Sequence, residues 1–181
     1  MVASCGKGCQ KVSGEGGIGP EVPLEEAEAG DEASLGTPLF QGEYTHALDP
    51  KGRLTIPACF RTVLAEGLMI TRGYEPCIVG YTLAEWAELA ARAARLSRTR
   101  KSARSFRRIV FAGGTKVVPD SMGRILLPDY LRTYAHIDGQ AVVLGVNNNI
   151  EIWNPDTWRQ TLTEDIAHID DITADLSELG M

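Results

Sequence analysis

The chain has 181 residues, of which 44% are apolar and 23% charged, with a formal net charge of −6. That balance fits an ordinary globular protein, either one medium domain or two small ones around a shared core. It contains no run of about 18 apolar residues that would make a spanning helix, and no basic start leading into an apolar stretch, so no signal peptide is expected.

The charge is uneven. Residues 1–38 carry net −5, residues 159–181 carry net −5, and residues 39–158 carry net +4. A basic centre between acidic ends suits local patches that bind polyanions. The four cysteines, Cys5, Cys9, Cys59 and Cys77, form no C-x-x-C pair, so neither a metal site nor another cofactor is expected. Cys59 and Cys77 lie among apolar residues and read as buried thiols, in keeping with a reducing cytoplasm.

Residues 1–38 are rich in Gly, Glu and Ala without apolar periodicity. They are expected to be a disordered extension, or a mis-assigned start with translation beginning near Leu39. Order is expected from Phe40. In "FQGEYTHAL", Phe40, Tyr44 and Leu48 share one face of a strand. A loop from Asp49 to Gly52 leads into the short strand "RLTI", then Pro57 opens a short helix ended by Gly67. "LMITRG" and "CIVGY" read as strands, and Thr82 with Glu85 has capping-box spacing before an alanine-rich helix. A second helix, about 98–111, carries Phe106, Ile109 and Val110 on one side. The order then restarts with "TKVV", a loop, "RILL", Pro128, a short helix, "QAVVLGV" and "IEIW". Asn154-Pro155-Asp156 starts a last helix bearing Trp158, Leu162, Ile166, Ile169, Leu176 and Leu179 at three- and four-residue steps.

This restart is an internal repeat. At an offset of 71, residues 40–62 and 111–133 are identical at eight of 23 positions, including Asp49/Asp120, Gly52/Gly123, Arg53/Arg124, Pro57/Pro128 and Arg61/Arg132. A half with about four short strands and one small helix buries too little surface to stand alone. The halves are therefore expected to share one core in a pseudo-twofold α+β body, mainly β with peripheral helices.

Both copies contain Asp-x-x-Gly-Arg. Asp at a turn start bonds the backbone amide two residues on, and Gly accepts positive φ, so Asp49, Gly52, Asp120 and Gly123 orient two tight loops. Two readings of the arginines stand. Each Asp–Arg pair is a structural salt bridge across its hairpin, or each Asp holds a guanidinium ready for phosphate oxygens or a guanine edge. On the second reading Lys51 adds a cation beside the first copy. An enzyme is not expected: no nucleophile stands beside a base, the phosphate-cradling glycine patterns are absent, and each Asp has its basicity lowered by its own arginine.

"LFQGEYTHALDPKGRLTIPACFR", "GLMITRG", "CIVGY", "DSMGRILLP" and "NIEIWNPDTW" together resemble the MraZ family of bacterial transcriptional regulators, over about residues 39–181. The resemblance implies two tandem AbrB-like swapped-hairpin repeats, 39–96 and 97–181, packed as one β-barrel-like pseudo-dimer. It implies a cytoplasmic, nucleoid-associated homo-oligomer, a ring. This would bind double-stranded DNA at tandem boxes upstream of its own operon in the division and cell-wall gene cluster, as a repressor and away from membranes. Its DNA contacts would be Lys51, Arg53 and Arg124, with Ser121 and Met122 replacing Pro50 and Lys51 in the second loop. The extension 1–38 departs from the family pattern. Rival readings are an AbrB-like antitoxin and an oligomeric protein-binding scaffold.

The densest basic run lies elsewhere. Arg92, Arg95, Arg98, Arg100, Lys101, Arg104, Arg107 and Arg108 occur with no acid among them. Since the resemblance puts DNA at the loops, this run reads as a solvated face or as a partner for the acidic last helix of the same or an adjacent subunit. A helix lying along phosphates is the alternative. The stripe on the last helix reads as core or subunit contact, and His46, His136 and His168 as structural or surface residues.

Overall fold

The computed structural model describes residues 40–178 and Gly180. The expected extension at 1–38 lies outside the described residues. Among the described residues eight strands form: β1 (Phe40–Ala47), β2 (Arg53–Thr55), β3 (Leu68–Arg72), β4 (Ile78–Thr82), β5 (Thr115–Val117), β6 (Arg124–Leu126), β7 (Gln140–Asn147) and β8 (Asn149–Trp153). Six helices accompany them: α1 (Ala58–Arg61), α2 (Leu83–Ala94), α3 (Lys101–Val110), α4 (Asp129–Tyr134), α5 (Pro155–Ala167) and α6 (Ile169–Glu178).

The main sheet has the order β1-β7-β8-β4-β3-β5, while β2 and β6 form a separate two-stranded ribbon. Exchanging the copies turns β1 into β5, β3 into β7 and β4 into β8, and the order then reads the same backwards. This is the pseudo-twofold the repeat predicted. It is also a swap: β1 of the first repeat pairs with β7 of the second, and β5 of the second pairs with β3 of the first. Among the described residues the expected barrel-like closure is not present, because β1 and β5 are the two edges of an open sheet.

Side-chain alternation explains why the sheet has two buried faces. Ile78, Ala141, Val143, Ile150 and Ile152 point to one face, where they join Leu54, Ile56, Ile125 and Leu127 from the ribbon and Phe60, Leu64 and Leu131 near the short helices. Val79, Val142, Leu144 and Trp153 point to the other, against Tyr81 and Trp158. Leu54 and Ile125 are cross-strand partners at the centre of the ribbon and have no solvent exposure. Truncating either to Ala would remove about 2–5 kcal/mol. The ribbon therefore hangs on the shared core, and neither repeat can keep it alone.

Pro57 and Pro128 stand just before α1 and α4 with extended ψ of 139° and 144°, one position ahead of the first helical turn. The Thr82 hydroxyl accepts from the Glu85 amide at 3.1 Å, so the expected cap forms. Three expectations change. Cys77 is buried, but Cys59 is exposed, because Phe60 beside it takes the inward direction of α1. Ile109 is also exposed, and only Val110 of its pair enters the core. The last helix divides at His168, whose φ of −111° ends α5 before α6 begins. His46 is half-buried, while His136 and His168 are exposed.

Candidate nucleic-acid interface

Each loop closes by the same local chemistry. The Asp49 amide donates to the Arg53 carbonyl at 3.0 Å and the Gly52 amide to the Asp49 carbonyl at 2.8 Å; the matching distances at Asp120–Arg124 are 2.9 and 2.7 Å. Asp49 Oδ1 accepts from the amides of Lys51 and Arg53 at 2.9 and 3.0 Å. Asp120 Oδ1 accepts from Met122 and Arg124 at 2.9 and 3.0 Å. The first and last of the five motif residues thus fix each other through bonds that span at most four residues.

Tertiary structure then sets the two loops side by side. The Ile56 amide donates to the Gly123 carbonyl at 2.8 Å, and the Leu127 amide donates to the Gly52 carbonyl at 3.0 Å. Alternation along the ribbon sends Leu54 and Ile125 inward and leaves Arg53 and Arg124 partly exposed. The four charged side chains meet in one cluster. Arg53 Nε donates to Asp49 at 2.6 Å. Arg124 donates to Asp120 through Nε at 2.9 Å and Nη2 at 2.7 Å. Across the pseudo-dyad, Arg53 lies 3.8 Å from Asp120 and Arg124 lies 3.8 Å from Asp49.

The salt bridges of the first reading are present in both loops. The guanidinium groups are not sealed: the Arg53 side chain is 32% exposed and that of Arg124 is 23% exposed. Arg53 uses only its Nε on Asp49, so its terminal nitrogens make no hydrogen bond among the described residues. Asp120 is driven down to about 2, chiefly by the side-chain hydrogen bonds from Arg124. Asp49 is lowered chiefly by the Arg53 amide. Arg124 is raised by its bonds to Asp120. Carboxylates held down in this way are poor proton acceptors at neutral pH, which argues against their use as general bases. Lys51 is exposed at the first tip; Met122, at the matching tip, is 62% exposed.

Arg61 and Arg132 were missed as site candidates, and the loop glycines already expected at positions 52 and 123 reveal them. Gly52 has φ of +75° and Gly123 has φ of +74°, which L side chains rarely adopt. Each also backs onto an arginine of the opposite repeat: a Cβ on Gly52 would lie 3.0 Å from Arg132 Cζ, and one on Gly123 would lie 2.5 Å from Arg61 Nε. Arg61 Nε is held by the Ile56 carbonyl at 2.9 Å, and Arg132 is paired with Asp129. Both belong to the eight repeat identities, so the signal was present; nothing in a linear sequence says that each arginine crosses to the other copy's loop.

Among the described residues, no group of three or more His, Cys, Asp and Glu is placed to hold a metal ion, and no helix is long and apolar enough to cross a membrane. The sequence matches a family model described as "MraZ protein, putative antitoxin-like" twice in tandem, over residues 39–109 and 110–177. With the duplicated loops, the exchanged strands and a match covering most of its length, the chain belongs to the MraZ family.

Proposed function

We propose that this chain is a sequence-specific DNA-binding transcriptional repressor that recognises tandem boxes upstream of its own operon, in the division and cell-wall gene cluster. The observation that carries this reading is the pair of Asp-x-x-Gly-Arg loops held together on the pseudo-dyad. Asp49 and Asp120 direct their oxygens to loop amides and arginines, which leaves Arg53 and Arg124 as oriented donors. Lys51 adds an exposed cation at the tip. Phosphate contacts from these groups give affinity and register, and an arginine edge or groove shape gives sequence preference.

One loop pair makes few contacts and binds weakly. In a homo-oligomeric ring, several pairs stand at fixed spacing, so neighbouring boxes are engaged together and the effective concentration multiplies the weak terms. Such a regulator works at the nucleoid in the cytoplasm. A second reading, an antitoxin that also neutralises a toxin, is favoured by the family description and by the exposed apolar side chains of α6.

A footprint on DNA just upstream of the chain's own gene tests the reading. Regularly spaced protected boxes whose occupancy falls steeply with salt are expected, because phosphate binding releases counterions. Absence of protection at low salt would remove that DNA as the target.

A further inference from the structure

Helix α6 has no physical reason to be stable where it lies. It is ten residues long, and its side chains from Ile169 to Ser177 are all exposed. An isolated helix shorter than about 12–15 residues is marginal in water. Ile169, Ile172 and Leu176 nevertheless fall on one face, 54%, 37% and 38% exposed. The acids Asp170, Asp171 and Asp175 accompany them, and α6 contains no Lys or Arg.

The elbow between α2 and α3 has the opposite chemistry. Arg107 Nη2 donates to the carbonyls of Ala93 and Leu96 at 2.6 and 2.7 Å, and Arg104 Nη1 to those of Arg98 and Thr99 at 3.2 and 2.5 Å. These two arginines fix the elbow. None of the eight cations between Arg92 and Arg108 has a carboxylate within salt-bridge distance among the described residues. Arg100 and Lys101 also stand at the N-terminal end of α3, whose first turn has no acid. Cations there oppose the helix dipole, so an incoming acid relieves a standing repulsion. Between the two helices runs an open groove of about 450 Å³, lined by Leu96, Ala103 and Phe106 with Arg95 and Arg100. It offers an apolar bed with a cationic border.

We infer that α6 of one copy docks into the α2–α3 elbow of a second copy, with Ile169, Ile172 and Leu176 against Leu96 and Phe106, and Asp170, Asp171 and Asp175 facing Arg95, Arg100 and Lys101. The inference rests on the homo-oligomeric reading and assigns it a surface. The contact joins two different patches, so it is heterologous, and repetition closes a ring or extends a filament. It leaves the loops at Arg53 and Arg124 free.

The test uses two full-length variants, one with Ile172→Asp and Leu176→Asp, the other with Arg95→Glu and Arg100→Glu, followed by light scattering and sedimentation. Each alone is expected to be monomeric with an unchanged circular dichroism spectrum over the sheet. Mixed, they retain one intact elbow and one intact α6, and a 1:1 dimer that grows no further is expected. Assembly of the unmodified chain is expected to weaken as salt rises from about 0.1 to about 1 M, as the screening length falls from about 10 to about 3 Å. An unmodified chain that assembles while both variants also assemble would overturn this surface but not the oligomer. A monomeric unmodified chain would overturn both. Variants that stay monomeric when mixed would overturn the contact between α6 of one copy and the elbow of another. Loss of DNA affinity in the monomeric Arg95/Arg100 variant, with the α6 variant unaffected, would assign the elbow to nucleic acid instead.

Discussion

The loop at Asp49–Arg53 and the loop at Asp120–Arg124 are closed by the same set of backbone bonds, with lengths that agree to about 0.1 Å, yet they present different surfaces. The first ends in a cation, Lys51, and the second in a thioether, Met122. The flanking helices diverge further. The stretch after the first meander from Arg92 at the end of α2 through α3 is strongly basic, whereas α5 and α6, after the second, are acidic. The groups that close a turn have one geometry to satisfy, so both copies keep them. The groups that face solvent are under no such constraint, and in this chain they carry opposite charge.

The harshest way to break the comparison is to remove both arginines. Arg53→Ala with Arg124→Ala is expected to lower DNA affinity on the order of a hundredfold or more, since each two-point arginine contact is worth about 1–3 kcal/mol. Assembly mass and melting should change little, and unaltered gel-shift affinity would remove the loops from the mechanism.

Next come the glycines. Ala at either Gly52 or Gly123 faces a left-handed backbone cost of about 1–2 kcal/mol. Gly123→Ala is expected to lower the melting temperature more, because its Cβ meets Arg61 Nε at 2.5 Å while that of Gly52 meets Arg132 at 3.0 Å. Equal losses would mean that Arg61 gives way.

A smaller effect sharpens the difference between the tips. Lys51→Ala should reduce the slope of log affinity against log salt by about one phosphate's worth, and Met122→Lys should raise it by about the same amount. If neither changes the slope, the tips do not touch the backbone of DNA.

The smallest effect is a titration. Asp120 is lowered from 3.8 to about 2, so its bonds stabilise the fold above the unfolded value and lose that contribution as pH falls from about 4 through about 2. Carboxyl NMR should place its midpoint near 2, and Arg124→Ala should return it towards 3.8. A wild-type midpoint near 4 would show that the Arg124 pairing is absent in solution.

Much of this was legible in the chain. The identity at 71 residues set the duplication, because a repeated unit that cannot bury its own apolar face must share a core. The spacing of Asp, Gly and Arg set the two loops, because an Asx turn closed at a positive-φ residue is a local matter of a few bonds. Periodicity located the strands, since alternation survives whatever the neighbours are. It failed at Cys59 and Ile109, where apolar residues sit beside the ones that turn inward, and it ran through the break at His168.

The sequence alone decided which residues form two copies of one turn, because those contacts span only a few residues. Tertiary structure decided which copy supplies the partner. The exchange of β1 and β5, the crossing of Arg61 and Arg132 to the opposite loops, and the open edges of the sheet all arise from long-range packing. Many pairings along the chain would satisfy the same local rules, and only the shared core selects among them.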